Sequence, residues 1–217
     1  MRAKPKKFSG LFVTFEGVEG AGKSTLIRSL SLQLQSKFKV KITLTREPGG
    51  NLVAEKIREV ILNQAMDPKT ELFLYEAARA EHLVKTILPA LCAGQIVLCD
   101  RYADSSLAYQ AHARGLDWNL VKKLNALATD GLKPDLTVML DIDPALGLAR
   151  ASDKNRFEAE GVLFQKKVRA GFLKASREEP KRWMVIPVRE KTPDELATLI
   201  VERLKKSFKK KLTGLLS

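Results

Sequence analysis

Two kinds of segment alternate along the chain. Short, nearly continuous apolar runs rich in β-formers read as strands buried on both faces: Leu11–Glu16, residues 40–45, residues 96–99 ending at Asp100, Leu136–Asp141 and residues 184–188. Between them lie longer stretches with apolar positions three and four apart, the spacing of a helix with one buried face. These cover residues 24–38, Leu52–Asn63, 69–93, 117–129, a helix opened by Pro144, 158–177 and 193–208. In the long segment 69–93 the apolar face holds Leu72, Leu83, Ile87 and Leu91, and Gly94 marks its end. Pro48-Gly49-Gly50 reads as a turn. Strands separated by helices predict a parallel sheet covered on both faces, in one α/β domain with no linker and no internal repeat.

The 217 residues suffice for a single core without disulfide or metal staples. With 45% hydrophobic and 29% charged residues the composition is that of a folded globular chain. No window approaches the ~18 apolar residues of a membrane span, and Glu16, Glu19 and Lys23 interrupt the first apolar run, which argues against a secretory leader. Cys92 and Cys99 show no metal spacing and read as two buried, reduced thiols of a cytoplasmic protein.

The net charge of +13 is concentrated at the ends. Residues 1–10 carry +4 and residues 203–217 carry +6, leaving +3 for the 192 residues between. The expected layout is a basic tail over 1–10, a domain over 11–204 and a second basic tail over 205–217. Such tails are either merely solvated or a contact for a polyanion.

The most informative motif is Gly17-Val18-Glu19-Gly20-Ala21-Gly22-Lys23-Ser24, followed by Thr25. It satisfies GxxxxGK[ST] between a predicted strand and a predicted helix, the context a phosphate loop requires. Its glycines let amides curl around a phosphate at a helix N-terminus. Lys23 would reach the β- and γ-phosphates of a nucleoside triphosphate and Ser24 would offer its hydroxyl to Mg²⁺. A chance match in a chain of this length, at a glycine usage of about 7%, is of the order of 1%. No NKxD-like guanine reader is present, which argues against a GTPase.

Three further segments, with the phosphate loop, carry a resemblance to the bacterial thymidylate kinases from Leu11 to about Leu204. They are Arg46-Glu-Pro-Gly-Gly50, Asp100-Arg-Tyr-Ala-Asp-Ser-Ser106 continuing to Gln110, and Asn155-Arg-Phe-Glu158. The resemblance implies a P-loop NTPase fold, three-layered α/β/α with a five-stranded parallel sheet and a short lid near 150–158. It also implies transfer of a phosphoryl group from ATP to dTMP with Mg²⁺, and a homodimer. Residues 17–25 would hold ATP, and Ser24 and Asp100 would serve the metal.

The same resemblance places the dTMP phosphate on Arg58 and Arg101 and the sugar 3′-hydroxyl near Glu19. Tyr75, where the family usually has phenylalanine, would stack on thymine. Arg79 would bond its carbonyl edge, with Ser106 and Gln110 also at the base. Tyr75 and Arg79 are four apart and so share a helix face, as do Ser106 and Gln110. Phe73 points elsewhere by spacing and reads as core. Each of these residues also has a plain structural reading, as an ion pair, a cap or an exposed polar side chain.

The family supplies a catalytic arginine from the phosphate loop or from the lid. Gly20 stands at the loop position here, so the lid must supply the cation: Arg156 first, Arg150 second, with Lys154 also present. Two rival readings remain, a kinase for another pyrimidine monophosphate and an ATPase that binds nucleic acid through its basic ends.

Overall fold

The computed structural model describes residues 8–150, 156–188 and 191–214. Five strands form one sheet in the order β2-β3-β1-β4-β5. They are β1 (Leu11–Glu16), β2 (Ile42–Arg46), β3 (Ile96–Asp100), β4 (Leu136–Asp141) and β5 (Trp183–Pro187), and every pairing is parallel. β1 runs beside β3 from Leu11↔Ile96 to Phe15↔Asp100, and beside β4 from Val13↔Leu136 to Glu16↔Met139. β2 and β3 thus lie on one side of β1, with β4 and β5 on the other. Connections diverge at the carboxyl end of β1, where open α/β sheets bind ligands.

The unbroken apolar runs are explained by burial on both faces. Leu11, Val13, Phe15, Ile96 and Leu98 enter one core with Leu26, Leu30 and Leu34 of α1 (Lys23–Phe38). Phe12, Val97 and Cys99 enter another with Leu83, Ile87, Leu91 and Tyr102. The alternation along β1 and β3 is the two-residue period of a strand. β2 starts later than its apolar pattern suggests because Lys39 adopts a left-handed conformation (φ 51) to close α1.

The remaining helices have local signals. Asn51 caps α2 (Leu52–Asn63), its Oδ1 accepting from the amides of Val53 and Ala54. Asp67 caps α3 (Pro68–His82), with Pro68 opening it. The predicted helix 69–93 is realised as α3, a π-helical turn at Leu83–Ile87 and α4 (Leu88–Cys92). Pro89 supplies no amide for the helical ladder, and the π turn before it absorbs that break. A further helix that periodicity did not mark out begins at α5 (Ala103–Ser106) and continues as a π segment over Leu107–Ala113. α6 (Trp118–Ala128) and α7 (Pro144–Arg150) follow.

The predicted helix 158–177 is divided into α8 (Arg156–Ala159) and α9 (Gly161–Glu178), because Gly161 takes φ 78. α10 (Pro193–Gly214) is longer than expected and kinks at Phe208.

Three expectations change here. Phe73, read as core, is 59% exposed, because the buried face of α3 is formed by Leu72, Glu76, Arg79 and their neighbours. Cys92 is exposed while Cys99 is buried. Residues 205–214 are helical, with Leu212 buried and Lys211 donating to Asp135 and to the Gly10 carbonyl. This part of the basic end is thus packed against the domain rather than hanging from it.

Candidate active site

The phosphate loop joins β1 to α1 at the diverging end of the sheet. Gly17, Gly20 and Gly22 have φ of 141°, 68° and 88°, the region that favours glycine. At Gly17 a Cβ would lie 2.6 Å from the Leu140 carbonyl oxygen, so the close approach of β4 also demands glycine. Among the described residues no acceptor meets the amides of residues 18–22. Those amides remain for a ligand, beside the N-terminus of a 16-residue helix.

Lys23 is buried and its Nζ donates to the carbonyls of Gly17 (3.4 Å) and Val18 (3.2 Å). Burial first, and Arg101 second, lower its pKa. A polyphosphate would relieve both effects. Ser24 Oγ donates to Asp100 Oδ2 at 3.0 Å, joining the first turn of α1 to the end of β3. Thr25 follows on the exposed side.

Beside this loop lies a cavity of about 90 Å³ lined by Glu19, Arg58, Tyr75, Arg79, Arg101 and Gln110. These are six of the seven residues expected at a dTMP site, and they come from the phosphate loop, α2, α3, the turn after β3 and the π segment that follows. Ser106, the seventh, lies behind the cavity, where its Oγ accepts from Arg79 Nη2 at 3.1 Å. Neither Ser106 nor Gln110 is exposed. Gln110 is held by Nε2 donating to Glu71 at 2.8 Å. A larger cleft of about 260 Å³ opens beyond Tyr102 and Asn125, and no phosphate-loop residue lines it.

Arg101 adopts φ 69 directly after β3. Its Nη1 donates to Gly17 O (3.0 Å) and its Nη2 to Glu19 Oε1 (2.7 Å). Burial opposes the charge of Glu19, but Arg101 and then Lys23 outweigh it and hold its carboxyl below the ordinary range. Arg58 donates to the Pro48 carbonyl at 2.9 Å, across a cis Glu47–Pro48 bond. Burial, then Arg46, lowers its pKa. Arg58 and Arg101 thus face one cavity, a desolvated double cation suited to a phosphate dianion.

Arg79 is 1% exposed, and its five N–H groups all find acceptors inside the protein. Nε donates to Glu47 (2.8 Å), Nη1 to Glu76 (2.7 Å) and Asn125 (2.8 Å), and Nη2 to the Tyr102 carbonyl (3.3 Å) and Ser106 (3.1 Å). It borders the cavity but is also the centre of a buried network. Tyr75 is half-buried in the same cavity, its ring 6.5 Å from that of Phe157.

Sequence reasoning missed Tyr109. Its hydroxyl donates to Glu19 Oε1 at 3.1 Å, Arg101 lies over its ring at 5.1 Å, and the ring meets Phe157 edge-on at 5.8 Å. Its position one residue before Gln110, inside a recognised segment, was the available signal. Glu47 was also passed over within its motif; it holds Arg79 and His82 together.

The lid expected near 150–158 falls largely outside the described residues. Residues 151–155, with Lys154, are among those not described, and of Arg156 only the backbone is described, opening α8. Arg150 ends α7 and is exposed. That helix reaches the phosphate loop, since a Cβ on Gly147 would lie 2.5 Å from the Glu19 carbonyl oxygen.

The family model "Thymidylate kinase" matches residues 15–200. The chain belongs to the thymidylate kinase family. It is 46% identical to a thymidylate kinase of Solidesulfovibrio magneticus over 203 residues, covering 88% of this chain and 96% of that one. A thymidylate kinase of Enterococcus faecalis is 45% identical over 210 residues, covering 92% and 99%. Among solved structures, the thymidylate kinase of Ehrlichia chaffeensis superposes with a TM-score of 0.74 at 34% identity, covering 90% of this chain and 98% of its own. The family, the five-stranded parallel sheet and the P-loop α/β fold therefore agree with the sequence reading.

Proposed function

We propose that this member of the thymidylate kinase family transfers the γ-phosphoryl group of ATP to dTMP, forming dTDP in the supply of dTTP. The observation that carries this reading is the placement of Arg58 and Arg101 in one cavity beside the phosphate loop. Two polyanions must be brought together, and each needs its own cationic cradle. ATP lies with its phosphates on the amides of residues 17–25 and on Lys23. The dTMP phosphate replaces Glu19 and the Pro48 carbonyl as partner of Arg101 and Arg58. Its anionic oxygen is itself the nucleophile, so no strong general base is required, and catalysis rests on positioning and charge neutralisation. A lid arginine, Arg156 or Arg150, completes the cation set.

Ser24 and Asp100 fit a Mg²⁺ ion. Their oxygens meet at 3.0 Å at the edge of the phosphate loop, and Mg²⁺ takes one or two protein oxygens together with substrate phosphates rather than an all-protein cage. Among the described residues no cluster of three potential ligand side chains competes with that placement. Once bound, the ion would draw charge from the β- and γ-phosphates. Tyr75 stacks on the pyrimidine. Arg79 meets its carbonyl edge through Nη2, whose two bonds are the longest of its five. Ser106 acts on the base through Arg79, and Gln110 borders it directly.

A homodimer is supported by an apolar stripe along α3 and the π turn that follows it, which no described residue covers. Phe73, Ala77 and Val84 are exposed and Ala80 half-buried at helical spacing, next to exposed Val53 and Val60 of α2. No helix of the described residues is long and apolar enough to cross a membrane, and we place the enzyme in the cytoplasm, with its nucleotide pools. The nucleic-acid reading is less favoured, because Lys211 and Leu212 are committed to the domain. ADP release in the presence of each of several nucleoside monophosphates tests the whole reading. dTMP is expected to be the best acceptor. Preference for another pyrimidine monophosphate, or turnover stimulated by DNA and not by dTMP, would replace it.

A further inference from the structure

Glu16 is the last residue of β1 and is fully buried, yet it touches neither cavity. Both of its carboxyl oxygens are engaged by the segment that carries Arg101. Oε1 accepts from the Tyr102 amide at 2.9 Å, and Oε2 accepts from the Ser105 hydroxyl at 2.6 Å. Between β3 and these contacts stands Arg101 in the left-handed region, φ 69, a conformation that a β-carbon disfavours. The Arg101 amide is itself tied to the Phe15 carbonyl at 2.9 Å. Residues 15 and 16 of β1 therefore grip the chain on either side of the Arg101 side chain. In that conformation the guanidinium turns back to Gly17 O and Glu19.

A purely structural acid would not need this arrangement. Tyr102 is the N-cap of α5, and the usual partner of an N-cap amide is a glutamate or glutamine three residues further on, where Ser105 stands here. Here the acceptor is instead a buried carboxyl from the strand whose next residue begins the phosphate loop. This side chain thus joins the backbone contacts and the Ser24–Asp100 bond in fixing the two anion cradles to each other.

We propose that Glu16 is a positioning residue for phosphoryl transfer: it holds the Arg101–Ser105 segment in its left-handed turn, and so sets the distance between the acceptor-phosphate arginine and the phosphate loop. This rests on the assignment of Arg101 to the dTMP phosphate. It reaches the substrate through the segment it holds, Arg101 together with Tyr102 and Ser105, which line the same cavity, so it belongs to acceptor binding and alignment and leaves ATP binding untouched.

The test compares Glu16→Met, which keeps volume and removes both acceptors, with Glu16→Gln, which keeps a polar atom at each position. Steady-state kinetics are measured with dTMP and ATP varied in turn. Glu16→Met is expected to raise the KM for dTMP about tenfold or more and to lower kcat, with the KM for ATP within about twofold. Glu16→Gln should recover the wild-type KM for dTMP within about threefold. A loss of stability alone would not divide the two KM values in this way. Wild-type kinetics in Glu16→Met, an equal rise in both KM values, or no recovery in Glu16→Gln would overturn the inference. If Glu16→Met does not fold, Ser105→Ala removes one tie only; a rise of about threefold in the KM for dTMP is expected, and no rise is refuting. A wild-type chain that phosphorylates no dTMP would defeat the reading of the site itself, whereas an active wild type with unaffected variants would defeat only the role of Glu16.

Discussion

Replacing Arg79 by alanine is expected to unfold this protein before it informs on base recognition. The side chain is 1% exposed and supplies five donors to Glu47, Glu76, Asn125, Ser106 and the Tyr102 carbonyl. Burial opposes its charge, but Glu76 and then Glu47 more than compensate and hold it firmly protonated. Its removal leaves two buried carboxyls without their cation. Breaking such a pair by deleting one partner costs about 3–5 kcal/mol. In a domain of this size each kcal/mol moves the melting temperature by about 2–4 °C, so a fall of about 6–20 °C is expected. Far-UV circular dichroism melts give the number directly. The loss should also depend on pH. Burial already raises the Glu76 pKa, and without Arg79 it rises further above its unfolded value. The folded variant then binds a proton that the unfolded chain has lost, and its deficit grows as pH rises. A melting temperature within about 3 °C of wild type, with no pH dependence of the difference, would refute the claim that Arg79 holds this network together.

Four further outcomes follow from the same geometry. Lys23→Ala should leave dTMP binding by calorimetry nearly unchanged while lowering kcat by at least a hundredfold; near-normal turnover would remove Lys23 from the phosphate site. Tyr109→Phe should weaken dTMP binding severalfold at an unchanged melting temperature, because it deletes only the hydroxyl on Glu19; unchanged binding would leave Tyr109 a packing residue. Burial, and then Asp104, raises the Glu16 pKa from 4.5 to about 8. The folded state thus holds one extra proton between these values, and stability from this group falls as pH rises across that window. The drop in melting temperature between pH 6 and pH 8 should be smaller in Glu16→Gln than in wild type, and equal drops would contradict the assignment. Truncation after residue 208 removes buried Leu212 and the Lys211–Asp135 pair; it should cost about 2 kcal/mol, chiefly from the leucine, and phosphoryl transfer at a temperature below the melt should persist.

Local patterns were enough for much of this protein. Two-sided apolar runs specify buried parallel strands whatever their order, and glycines followed by lysine and serine between strand and helix specify a phosphate loop, because each depends on residues a few positions apart. The spacing of Tyr75 and Arg79 on one helix face was legible for the same reason. What a side chain meets across the fold was not. Phe73 and Arg79 lie six apart on α3, and the ordinary expectation of apolar inside and charged outside assigns them the wrong way round. Glu47 and Asn125, distant in sequence, join Glu76 in compensating the buried guanidinium, whereas among the described residues the Phe73 ring stays 59% exposed. Ser106 at the end of α5 turns to Arg79, while Tyr109 in the π segment that follows meets Glu19. Position 16 read as an interruption in an apolar strand, and only the pairing of β1 with β3 shows it gripping the turn that carries Arg101. Periodicity is a property of neighbours along the chain, while the partner that makes a buried charge tolerable is a property of the packed whole.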